Sequence, residues 1–214
     1  MEVQALHSVI RYFKPKKIIE VGSGVSTSCS LASIKLNFKE ENIKQEIVCI
    51  EPHPSYQLKN SKEIKLICKK VQEIPFEFFK RLKKGDLLFI DSSHVVKSGS
   101  DVNYIILEIL PRLNKGVIIH FHDIYLPYDY NRFVLKSFWD WNETSLLRAF
   151  LIFNKKVKIL FCLSHLHYDR KSVLKQVFPE YNSQSDLDGL CNEECKTFEY
   201  PKKHFPSSIY IQKT

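Results

Sequence analysis

Apolar runs of strand length alternate with stretches of helical spacing through the first 125 residues, and that alternation admits few folds. KIIEVG (17–22), EIVCIEP (46–52), EIKLICK (63–69), DLLFIDSS (86–93) and GVIIHFHDIY (116–125) are rich in Ile, Val, Leu and Phe. Their apolar character is continuous rather than alternating, as expected where a parallel sheet is covered on both faces. Between them, Val25 to about Asn37 reads as helix. From Ser100 to Leu113, Val102, Ile105, Ile106, Ile109, Leu110 and Leu113 share one helical face. Strand and helix in this order predict an α/β fold with a mostly parallel sheet.

Past residue 125 the pattern changes. YLPYDYNRFVLKSFWDW is aromatic without period and is interrupted by Pro127, and packing against the sheet edge is one reading of 124–142. A helix is expected over Asn142–Phe153, then strands KVKILFCL (156–163) and SIYIQK (208–213). Residues 164–206 read as polar and irregular, a functional cap or insertion within one domain spanning 1–214. The N-terminal MEVQALHSVIRYFKPKK reads as an amphipathic helix closed by a basic turn. It has no signal-peptide core, and no apolar run reaches the roughly 18 residues of a membrane span, so the chain reads as cytoplasmic with no membrane partner.

The formal charge of +8 raises the question of nucleic acid, but the lysines are scattered and interleaved with Glu, as on a solvated surface. Nucleic acid is therefore not the expected partner. Of six cysteines, Cys49, Cys68 and Cys162 lie in apolar runs and read as small buried hydrophobes. Cys191 and Cys195 form the close pair CNEEC, which lacks a second pair to complete a zinc site. In SHLHYD, His165, His167 and Asp169 read as loop chemistry, on one face if the backbone is extended.

Chemistry concentrates where strands end. IIEVGSGVSTS sets Glu20, Gly22, Gly24 and Ser26 at the first strand-to-helix turn, where glycine permits a tight turn and close approach of a ligand to the backbone. Glu51, ending the next run, is placed to accept hydrogen bonds from both hydroxyls of a ribose. The dinucleotide fingerprint wants Gly or Ala at position 27, and Thr27 stands there instead. Asp91 ends the fourth run, with His94 three residues on. His120, His122 and Asp123 end the fifth, His120 on the same side as His122 but deeper.

The motif Glu-x-Gly-x-Gly-x-Ser with an acid closing the next strand resembles class I S-adenosylmethionine-dependent methyltransferases. Within them the chain looks most like the macrocin-type sugar O-methyltransferases (methyltransferase family 24-like) and more distantly catechol O-methyltransferase. The resemblance implies a Rossmann-like seven-stranded sheet with helices on both faces and an antiparallel last strand. It implies that Glu20, Gly22, Gly24 and Ser26 hold the methionine end of the cofactor, Glu51 the ribose, and Val71 and Gln72 the adenine border, with Asp91 beside the cofactor. It also makes the fourth and fifth strands neighbours, so that Asp91, His122 and Asp123 meet as a divalent-metal site. Relatives carry an acid where His122 stands. Imidazole there shifts the expected ion from Mg²⁺ toward Mn²⁺, Fe²⁺ or Zn²⁺.

At the offset of His94 the similar enzymes place a base, and taking a proton from a hydroxyl suits an imidazole. The acceptor implied is a small hydroxylated molecule such as a sugar or glycosylated metabolite. The resemblance also implies the other reading of 124–142, a lid or substrate wall. Relatives often bear N-terminal helices over the substrate; that role falls here to 164–206 or to a partner subunit, as in a homo-oligomer, or the chain is part of a longer gene product. The competing functions are a metal-dependent hydroxylase or non-catalytic nucleoside-binding protein on the same fold, an NAD-dependent oxidoreductase, and an RNA methyltransferase.

Overall fold

The computed structural model describes residues 1–130, Val134, 138–183 and 206–214. Seven strands form one sheet: β1 (Lys17–Val21), β2 (Glu46–Ile50), β3 (Lys65–Ile67), β4 (Leu87–Ile90), β5 (Ile118–His122), β6 (Val157–Cys162) and β7 (Ser208–Lys213). Their order is β3-β2-β1-β4-β5-β7-β6. The pairs among β1 to β5 are parallel, and β7 runs antiparallel between β5 and β6. This is the α/β, Rossmann-like seven-stranded sheet, last strand antiparallel, that the run pattern and the resemblance lead to.

Successive strand residues point to opposite faces, so both must be apolar where both are covered. Ile18, Ile47, Leu87, Phe89 and Ile118 pack under Leu6 and Ile10 of the first helix, α1 (Glu2–Phe13). Ile19, Val21, Leu88, Ile90, Ile119 and Phe121 face the other way, onto Val102, Ile105, Ile106 and Ile109. Burial of each such side chain contributes about 1.5–3 kcal/mol.

Among the described residues the other helices with stated bounds are α2 (Val25–Glu41), α3 (Tyr56–Asn60), α4 (Phe76–Phe79), a composite α5, α6 (Glu143–Leu151), α7 (Leu163–Asp169) and α8 (Lys171–Val177). The helix expected over 100–113 is α5, and it is irregular. It opens as an α-turn (Asp101–Asn103), widens to a π segment (Tyr104–Ile109) and closes as a 3-10 turn (Leu110–Arg112) around Pro111, which has no N–H to continue the ladder.

Three expectations are corrected. Residues 163–177 are two short helices rather than irregular chain, pinned by Leu163 and Leu174 against Ala5 and Tyr181. Seven-residue helices are too short to show a period in the sequence. Helix geometry also separates the SHLHYD side chains: His165 pairs with Asp169 at 2.9 Å, while His167 turns inward to the Tyr181 hydroxyl at 2.5 Å. Cys68 is exposed, because β3 is a three-residue edge strand that ends just before it. Cys191 and Cys195 lie outside the described residues, as do parts of 124–142 and 164–206.

The two turn glycines differ. Gly22 has φ +77°, and a Cβ there would stand 2.1 Å from the Asp91 carbonyl oxygen. Gly24 is extended at φ 179°, with nothing within 4 Å of a Cβ. Gly22→Ala is therefore expected to lower stability by about 2–4 kcal/mol in denaturant melts, through left-handed strain and overlap, while Gly24→Ala stays near the parent.

Candidate active site

The turn after β1 is built from below by a carboxyl group. Glu20 is fully buried, receives the Cys49 thiol at 3.5 Å, and is hydrogen-bonded by the side chains of Ser26 and Thr27. Burial pushes its pKa up to about 7 in spite of those bonds. It is a support beneath the turn. Thr27 Oγ1 accepts the Gly24 N–H at 3.1 Å, which closes the first turn of α2. Glu51 Oε2 accepts from Ser23 N at 3.2 Å and Oε1 from His53 N at 2.8 Å. These bonds fix its carboxylate at the lip of the turn, with further lone pairs to offer. Val71 is buried, and Gln72 Nε2 donates to Gly99 O at 3.1 Å, fastening the two loops that flank the turn on its far side. A cavity of about 250 Å³ opens between the turn, α1 and the ends of β4 and β5, lined by Glu2, Ser23, Gly24, Ser26, Asp91 and His122.

Beside it, β4 and β5 deliver the acid and imidazole groups to one point. Ligand atoms of Asp91, His122 and Asp123 all lie within 4.8 Å of one another. His122 Nδ1 is 3.4 Å from Asp123 Oδ2 and 3.8 Å from Asp91 Oδ1, and it has no hydrogen bond of ordinary geometry. An orphaned, buried imidazole nitrogen between two carboxylates fits a divalent cation, and among the described residues these three offer ligand atoms close enough together to hold one. His120 is core: it is 1% exposed and stacks on Tyr210 at 4.0 Å.

His94 adjoins this group. Its Nε2 is 3.5 Å from Asp91 Oδ1 and 3.8 Å from Asp123 Oδ2, and its Nδ1 is 2.8 Å from Glu143 Oε2. Glu143, at the start of α6, is wholly buried and also accepts from Ser92 Oγ at 2.9 Å. The N–H groups of Asn142 and Glu143 donate to His94 O, and Trp141 covers the ring at 4.3 Å. His94 and Asp123 both hold left-handed backbones, φ 60° and 52°, which costs about 1–2 kcal/mol each and aims their side chains inward.

The electrostatics follow from this crowding. Burial would lower the His94 pKa, but the hydrogen bonds of Asp91 and Glu143 and the charges of Glu143 and Asp123 outweigh it, raising it to about 10. Burial likewise opposes, and Asp123 overcomes, a rise of His122 to about 9. Asp123 is half-buried, which raises its pKa, yet the two imidazoles and the Ser207 hydroxyl (3.0 Å) hold it below the usual range. In this arrangement both rings carry protons at neutral pH and balance the carboxylates around them.

Sequence reading missed Glu143 and Glu2, and placed Trp141 only within the aromatic stretch rather than against His94. Glu2 reaches from α1 to accept from Ser207 N and the Ser208 hydroxyl at the far side of β5, next to His122. Nothing local marks these residues, since their partners lie tens to hundreds of positions away.

Residues 19–124 match the model of methyltransferase family 24, described as a methyltransferase domain; the match covers just under half of the chain. A protein of Archaeoglobus fulgidus, described as uncharacterized, is 34% identical over 89 residues, 40% of this chain and 39% of that protein. The matched region thus spans about two fifths of that relative's length. Among solved structures, a SAM-dependent methyltransferase from Archaeoglobus fulgidus superposes with TM-score 0.47 at 11% identity, covering 99% of this chain and 94% of that one. The plantazolicin methyltransferase BamL, in complex with a triazolic desmethylPZN analog and SAH, superposes with TM-score 0.49 at 15% identity, covering 99% and 82%. Superpositions this loose carry no information about substrate.

Glu20 yields a pH test. The folded group titrates near 7 against 4.5 for the free side chain, so the folded chain binds the extra proton between those values. Stability should then fall as pH rises from about 4.5 to 7 and level off above, by about 3 kcal/mol for this group. Glu20→Gln removes that slope. Denaturant melts of both proteins at pH 5 and 8 should show the variant gaining on the parent at the higher pH.

Proposed function

We propose that the methyltransferase domain over residues 19–124 transfers a methyl group from S-adenosylmethionine to a hydroxyl of a small molecule such as a sugar or glycosylated metabolite. The observation that carries this is the meeting of Asp91, His122, Asp123 and His94 beside an open glycine turn with an acid at its lip. The ribose falls to Glu51, the methionine end to the backbone at Gly22–Ser26 and the cavity beside it, and the adenine to the border formed by Val71 and Gln72. Glu20 acts through the turn it supports.

Methyl transfer from a sulfonium is an in-line displacement: the carbon–sulfur bond breaks as the carbon–oxygen bond forms, sulfur keeps the electron pair, and the hydroxyl loses its proton. His94 is the group placed to take that proton through Nε2, with Glu143 orienting the ring from Nδ1. As the structure stands the ring already holds a proton. Its role as base requires positive charge beside Asp91 and Asp123, which a sulfonium brings and a divalent cation would strengthen. Bound by Asp91, His122 and Asp123, such an ion would lower the pKa of a coordinated hydroxyl. One imidazole with two carboxylates also departs from the two-histidine, one-carboxylate set of non-haem iron oxygenases, which disfavours the hydroxylase reading. Trp141 and the aromatic groups around it wall the side from which an acceptor approaches.

Calorimetric titration of S-adenosylhomocysteine, with and without Mn²⁺ and with NADH as control, tests the reading. Micromolar binding of the homocysteine analogue and none of NADH is expected, and its absence sinks the proposal. Asp123→Ala should abolish any Mn²⁺ dependence while leaving metal-free binding of the analogue in place. With an accepted hydroxyl substrate, His94→Gln should lower kcat by about 10²–10⁴-fold with little change in cofactor affinity.

A further inference from the structure

In a parallel sheet every loop that enters a strand lies at the same edge, opposite the edge that carries the site. Here hydrogen bonds join those loops into one rim. Glu46 N donates to Lys16 O at 3.0 Å, Lys17 N to Asp86 Oδ1 at 2.9 Å, and Gly85 N to Gly116 O at 2.9 Å. Gly116 N continues to Lys213 O at 2.8 Å, and Thr214 N to Lys156 O at 2.9 Å.

Lysines that are scattered in the sequence are neighbours on this rim. Lys16 precedes β1, Lys44 precedes β2, and Lys83 and Lys84 precede β4. Lys115 precedes β5, and Lys155 and Lys156 precede β6. All are exposed, and none has a carboxylate within 4.0 Å among the described residues. The nearby acids are engaged: Glu46 pairs with Lys65 at 2.8 Å, and buried Asp86 accepts the Lys17 and Lys83 N–H groups. The opposite edge carries Glu51, Asp91, Asp101 and Asp123. Lys69, Lys70 and Lys97 share that edge, so its charge is mixed, whereas the unpaired charge on the rim, among the described residues, is lysine.

Apolar side chains stand out from the same rim. Phe153 is 98% exposed and Ile152 56%, just ahead of Lys155. Tyr12 is 79% exposed and lies with Phe13 just ahead of Lys14. Phe13 borders both a basic groove of about 630 Å³ and an apolar one of about 590 Å³ between α1 and α8.

We propose that this rim docks on an anionic bilayer surface, with Phe153, Ile152, Tyr12 and Phe13 entering the headgroup region and the lysines facing the lipid phosphates. The site at the opposite edge then faces water. Lysine suits a diffuse negative surface, whereas recognition of a nucleic-acid strand favours the arginine fork. Arg81 is the arginine lining the basic groove, and it lies over the Phe78 ring at 5.0 Å. Ile152 has no ring on which a base could stack, and aliphatic groups suit hydrocarbon. The proposal stands apart from the assigned chemistry: lying on a membrane needs no spanning helix, and among the described residues no helix is long and apolar enough to cross one.

Co-sedimentation with phosphatidylcholine vesicles, with and without phosphatidylglycerol, tests it at an ionic strength of about 0.1 M, where screening acts over about 10 Å. Binding is expected only with the anionic lipid, and it should fall as salt is added. The fourfold change K83Q/K84Q/K155Q/K156Q should weaken it at least about tenfold. Phe153→Ser, at a side chain with no packing to lose, should weaken it severalfold, and unchanged thermal melts would show both variants folded. Equal binding to neutral vesicles, no binding to either, or indifference to Phe153→Ser would overturn the proposal. So would tighter binding of a single-stranded RNA oligonucleotide than of anionic vesicles at the same salt, which would assign the rim to nucleic acid.

Discussion

The site depends on how closely the ends of β1 and β4 approach. Asp91 N donates to Val21 O at 2.8 Å and Gly22 N to Ile50 O at 3.1 Å, so the chain leaving β1 passes against the backbone of Asp91. Position 22 has no room for a side chain. That contact sets the turn before α2 beside the acid that ends β4. Parallel pairing of β4 with β5, Ile90 opposite Phe121, then brings His122 and Asp123 alongside. One backbone approach and one strand register thus unite what would be a nucleoside site with what would be a metal site.

Around that junction the fold accepts several unfavourable terms. Two residues other than glycine hold left-handed backbones, Glu20 and Glu143 are carboxyls out of reach of water, and His122 keeps a ring nitrogen without a proper partner. The cluster survives because opposite charges are packed in near balance. His94 and His122 as cations offset most of the charge on Asp91, Asp123 and Glu143, and removal of either imidazole would leave carboxylate charge uncompensated. Any cation that enters must therefore displace protons already held there, which ties binding at this site to pH.

The sheet separates two chemistries by its direction alone. Loops leaving strands gather acids and imidazoles, and loops entering strands gather lysines and protruding apolar groups. A parallel sheet makes such sorting possible, since all its crossover connections return the chain to the same edge before each new strand.

The sequence by itself determined the fold class, because apolar runs continuous over both strand faces require a sheet covered on both sides. It also marked the glycine turn, the acid that closes β2, and the residues ending β4 and β5, since all of these are local patterns at strand ends. Only the tertiary structure decided what those residues meet. His94 owes its orientation to Glu143, 49 positions on. His122 has Glu2 for a neighbour because α1 packs over the sheet and hands its first turn to Ser207 and Ser208. The lysines that read as an even surface become a single rim through the hydrogen bonds between entering loops. Short polar helices such as α7 and α8 were illegible because their few apolar contacts are made to Ala5 and Tyr181, outside themselves. Periodicity records what one element buries; which elements then share a point depends on register and long-range packing, which no local pattern encodes.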